Sequence, residues 1–121
     1  MKRFIRNNEN VFGMANLNPS KSGLPVIIWA EHDGVSRNNT HNEPRVKVGK
    51  DKYWISISIS ENPKILAKSS NIKKSEMDKL EECIEYVARN HDIFLKHFND
   101  TDFNFDDEDL FNALRQRGEY R

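Results

Sequence analysis

The chain has 121 residues, 36% hydrophobic and 31% charged, which suits a single domain with one core and a heavily solvated surface. Its 19 Lys/Arg and 19 Asp/Glu cancel, and that neutral total argues against strong non-specific nucleic-acid binding, which needs an uncompensated positive field. A single cysteine, Cys83, excludes an internal disulfide and a one-chain thiolate zinc cluster, and no apolar run approaches the ~20 residues of a membrane span.

Residues 1–23 read as an irregular N-terminal arm, polar and rich in Asn, Lys and Pro, with no apolar signal-peptide core. Residues 24–121 then form a single α+β domain. LPVIIWAE (24–31) is short, apolar and β-branched, so it predicts a buried strand with Pro25 at its start. HDG (32–34) carries turn chemistry. PRVKV (44–48) alternates, with Val46 and Val48 on one face and Arg45 and Lys47 on the other. After GKDK, the stretch YWISISIS (53–60) gives the strongest strand signal in the chain. Tyr53, Ile55, Ile57 and Ile59 share one face, and Trp54, Ser56, Ser58 and Ser60 the other. Residues 44–60 are expected as a hairpin with 24–31 alongside.

ENPKILAKSSNIKK reads as a connector. The period then changes: Met77, Leu80, Ile84, Val87, His91, Phe94 and Phe98 are spaced by alternating threes and fours, one continuous stripe of a helix over 75–98. Ser75 and Asp78 have capping-box spacing. A short helix over 107–117 turns Leu110, Phe111 and Leu114 inward, with Arg115 and Arg117 in its last turn and Gly118 beyond. The expected architecture is α+β: a small antiparallel sheet of about three strands packed on one long helix, plus a short terminal helix.

Charge is unevenly placed. Residues 1–75 carry 13 Lys/Arg against 6 Asp/Glu, and residues 76–121 carry 6 against 13. Packing of the two halves against each other explains most of this; a basic face that meets phosphate is the sharper reading. Arg45 and Lys47, at i and i+2 on a strand, share a face, with Arg37 and His41 just upstream. Such a set suits a phosphate or a partner's carboxylate. With His41 as base and Arg45 and Lys47 stabilising charge on phosphate, it also matches a minimal ribonuclease. Trp54 beside these cations has the composition of a binding hot spot. His32, Asp33 and His41 lack metal-site spacing, so no metal or other cofactor is expected. His91 falls on the apolar stripe, whereas His97 and Cys83 fall off it. The acidic, aromatic run through Asp100, Asp102, Phe103, Phe105 and Asp106–Asp109 reads as a solvated inter-helix loop.

SGLPVIIW, NEPRVKV, an alternating strand and a helix containing YVARNHDIFLKHF follow in that order. Over residues 22–99 this layout resembles small uncharacterised bacterial proteins akin to domain of unknown function 4160, where a strand, a Pro-led strand and a helix succeed one another. That resemblance implies a cytosolic bacterial or mobile-element accessory protein, with some association to toxin–antitoxin systems, and it supplies no activity. The family carries paired histidines after the proline where this chain has Arg45 and Lys47, so any chemistry of those histidines does not transfer. The resulting expectation is a cytoplasmic, non-enzymatic interaction or regulatory protein with a protein partner. An RNA-directed nuclease using His41, Arg45 and Lys47 is the alternative, and a nucleic-acid-binding module in the basic N-terminal half a third. An open strand edge or the tryptophan face leaves room for a homodimer.

Overall fold

A computed structural model describes residues 14–31, 43–100 and 104–121. One five-stranded antiparallel sheet is laid out in chain order: β1 (Met14–Leu17), β2 (Ile27–Glu31), β3 (Arg45–Gly49), β4 (Trp54–Ser58) and β5 (Ile65–Lys68). A single helical turn, α1 (Pro19–Ser22), follows β1. Three further helices, α2 (Lys74–Arg89), α3 (His91–Phe98) and α4 (Asp107–Gln116), close the chain.

Alternation builds the core side of the sheet. The ladder aligns Leu17 with Ile28, Ile28 with Val48 and Val48 with Ile55, and beside that row Ala15, Ala30, Val46 and Ile57. All of these are buried, Leu17, Ile28, Val48, Ile55 and Ile57 completely. Removing a side chain of that size from water contributes about 1.5–3 kcal/mol. The helices cover this face, with α2 against β3 and β4, α3 against β2, and α4 against β1. Leu80, Val87, Phe94, Leu110 and Leu114 complete the interior. The α+β expectation therefore holds, with the isoleucine face inward and helices upon it.

Details of the sheet differ from the sequence reading. The sheet has five strands rather than three. β1 and α1 occupy residues expected in an irregular arm, and Asn18 caps α1 by accepting from Ser20 N–H (2.9 Å). β5 lies in the expected connector. Its four residues are all exposed, so no burial pattern marked it. Leu66 is bulged out of its ladder, because Ser56 pairs with Ala67 and Ile57 with Ile65.

The expected single helix over 75–98 is two helices that meet at Asn90. Asn90 is fully buried, its amide donates to the Tyr86 carbonyl (3.0 Å), and its backbone at φ −116°, ψ 23° leaves helical space. That break rotates the inward face of α3. Ile93, Phe94, His97 and Phe98 are buried, while His91 is only half-buried and makes a 2.9 Å contact with the Ala88 carbonyl. Helix α2 starts one residue earlier than expected. Glu76, rather than Asp78, accepts from the backbone N–H of the N-cap residue, Lys73 (2.9 Å). Cys83 faces inward as well, and burial pushes its thiol up to about 12.

At the C-terminus, Asp106 and Asp109 form a reciprocal capping box for α4 (3.0 and 3.1 Å). Gly118 follows the helix at φ 76°, as its place in the sequence predicts. Tyr120 stacks on Phe111, with centroids 4.9 Å apart. Tyr86 Oη donates to the Glu119 carbonyl (2.6 Å), Arg89 pairs with Glu119 (2.9 Å), and Arg117 pairs with Asp92. Among the described residues, no helix is long and apolar enough to cross a membrane.

Candidate binding face

The sheet's second face carries no described helix. One row of side chains crosses it from edge to edge, because the register aligns Asn16 with Trp29, Trp29 with Lys47, Lys47 with Ser56 and Ser56 with Ala67. The neighbouring row holds Ile27, Gly49 and Trp54. None of Asn16, Ile27, Trp29, Lys47, Trp54, Ser56 or Ala67 is fully buried, in contrast with their neighbours of opposite parity.

Lys47 organises this face. Its Nζ lies 5.2 Å from the centre of the Trp29 ring and 4.8 Å from that of Trp54. Both lie within cation–π range, each contact contributing about 0.5–1 kcal/mol at an exposed site. Trp29 stands directly across the ladder from Lys47, and Trp54 reaches it diagonally, opposite a glycine that presents no side chain. The Trp54 backbone is fixed by the residue just past β5: its N–H donates to Ser69 Oγ (3.0 Å), and its carbonyl accepts from Ser69 N–H (3.0 Å). Arg45 stands on the same face two residues before Lys47 and is half-buried.

Of the expected site residues, Arg45, Lys47 and Trp54 are thus brought together. Arg37 and His41 lie outside the described residues. Trp29 was missed, although its parity was readable: Val26, Ile28 and Ala30 form one set within LPVIIWAE, and Ile27, Trp29 and Glu31 the other. A terminal glutamate marks the second set as the wetter face. The serines do not form one wet row. Ser58 is buried at 2% exposure, and its Oγ accepts from Lys64 N–H (2.8 Å). Asn16 Oδ1 is buried and accepts no hydrogen bond among the described residues.

His97, expected off the apolar stripe, is fully buried, and its Nε2 lies 2.9 Å from Asp107 Oδ1, tying α3 to α4. The acidic run supplies this partner and the cap of α4, and Phe105 lies under Lys96 (4.7 Å); Asp102 and Phe103 fall outside the described residues. No group of three His, Cys, Asp or Glu among the described residues converges as a metal site.

Charge divides by layer. Among the described residues, segments 14–31 and 43–73, which hold the sheet, carry 8 Lys/Arg and 4 Asp/Glu. Segments 74–100 and 104–121, which hold the covering helices, carry 7 and 12. The balance along the chain is therefore also a balance across the thickness of the molecule. No family model matches the chain, and it matches no curated protein and no solved structure.

Proposed function

We propose that this protein works by binding, as a small regulatory or accessory module, and that the open face of its sheet seats a macromolecular partner. The observation that carries this reading is Lys47 standing between Trp29 and Trp54 on the face no described helix covers. Large aromatics beside a cation on a rigid sheet lose little side-chain entropy when a partner lands on them, and they recur where truncation costs most binding energy. Protein and nucleic acid both suit that chemistry.

The test is capture of a partner by the folded chain from extract of the cell that expresses it, repeated with Trp29→Ala and Trp54→Ala together. Loss of the captured partner with an unchanged thermal melt supports the reading, and undiminished capture by the folded double variant sinks it. The sharing of one face by Arg45 and Lys47 also favours the phosphate-directed alternative. Cleavage of RNA by the purified chain, abolished by Arg45→Ala and by His41→Ala, would replace the binding reading with a nuclease.

A further inference from the structure

We infer, resting on that binding reading, that the partner of the sheet face is single-stranded nucleic acid rather than protein. Three observations separate the two classes. The first is what surrounds the tryptophans. The core of a protein–protein hot spot is apolar and excludes water, but here Trp29 and Trp54 are interleaved with Lys47, Asn16, Ser56 and Arg45, and Ile27 is the one large aliphatic side chain in the two rows. Among the described residues, the large exposed hydrophobics, Ile65 and Leu66, stand at the edge in β5 and not among the tryptophans. Alternating rings and cations are what a strand of bases and phosphates needs, since any base can stack on an indole and any phosphate can pair with a lysine.

The second is spacing. Both ring centres lie about 5 Å from one Nζ, which places them within about 10 Å of each other. Two neighbouring unstacked bases on one strand fit that interval. Lys47 is held by no salt bridge among the described residues, and its flexible stem lets Nζ leave the rings for the phosphate between those bases. A duplex offers no such fit, because its bases are already paired and stacked.

The third is the field. With the sheet layer positive and the helical layer negative, a polyanion is drawn to the sheet and repelled from the helices, although the molecule is neutral overall. The sheet therefore orients a nucleic acid that the net charge alone would not attract.

The experiment is a fluorescence-anisotropy titration of the full chain into a labelled, mixed-sequence oligoribonucleotide of about a dozen nucleotides, and into the duplex of the same sequence. The single strand is expected to bind roughly tenfold or more tighter than the duplex. Trp29→Ala and Trp54→Ala should each weaken it by roughly fivefold or more, while Trp54→Phe keeps most of the affinity. Lys47→Gln should weaken binding and lower the dependence of log K on log salt by about one contact's worth. No binding by the folded wild type overturns the inference. So does binding that favours neither strand form and ignores the tryptophan variants, since that is charge alone. If the oligonucleotide fails to bind but the Trp29→Ala, Trp54→Ala pair still abolishes capture of a protein, the nucleic-acid assignment falls and the binding reading stands. If the folded pair still captures every partner, the binding reading itself falls.

Discussion

Gly49 sits at φ 145°, where a Cβ would lie 2.2 Å from the Tyr53 carbonyl and 2.5 Å from Trp54 Cα. Both obstacles are backbone, so nothing flexible can give way. The hairpin closes here, with Lys50 N–H donating to the Tyr53 carbonyl (2.8 Å). Gly49→Ala is expected to destabilise the chain by about 2 kcal/mol or more, read as a lower urea midpoint at unchanged m-value, and to displace Trp54. At this scale the sequence was informative wherever a residue type has one dominant use. GKDK announced the turn, Trp54 among serines announced an aromatic outside the core, and Gly118 announced the end of a helix. Burial of His97 was not readable, because its face depends on a break seven residues earlier.

That break belongs to the scale of elements. Alternating threes and fours from Met77 to Phe98 describe an unbroken helix, and nothing in residue type separates the two solutions. What decides is tertiary: buried Asn90 finds the Tyr86 carbonyl and Arg117 Nη1 (3.3 Å) as partners, so its polar amide is satisfied at the junction. The C-terminal segment then locks against both helices through Arg89–Glu119 and Arg117–Asp92. Hydrogen bonding from Arg89 holds the Glu119 carboxyl below its ordinary value of 4.5, and Arg117 holds Asp92 below its ordinary 3.8. A depressed carboxylate stabilises the fold fully above its unfolded value, and that stabilisation is lost as pH falls through the lower, folded one. Stability should therefore decline as pH drops from 4.5 downward, and more steeply in the wild type than in Arg89→Ala, Arg117→Ala. Urea melts at stepped pH check this. The difference will be small, because both pairs are largely exposed.

At the scale of the molecule, the edges of the sheet receive unlike treatment. β1 is tied down: α4 packs against it, Asn18 N–H donates to Tyr120 Oη (3.3 Å), and Arg121 N–H donates to the Lys21 carbonyl (3.0 Å). The two ends of the described chain thus meet, and residues 14–22 are part of the domain. A chain beginning at residue 24 should lose about 3 kcal/mol or more, since Leu17 and Ala15 leave the core and β2 becomes an edge; chemical denaturation measures it. Two layers were legible, because isoleucines at period two and apolar residues at helical period must bury each other. The outer strands were not: β5 has no buried face to set a period, and β1 offers only Ala15 and Leu17 as buried positions within four residues.

The chain's one thiol, that of Cys83, sits on the inner face of α2, fully covered, and burial keeps it protonated well above neutral pH. Oxidants, alkylating reagents and disulfides react with a thiolate, and burial withholds it from them. A disulfide between two copies therefore does not form through it while both remain shut, and an adduct on that atom records a moment when the helical layer lifted.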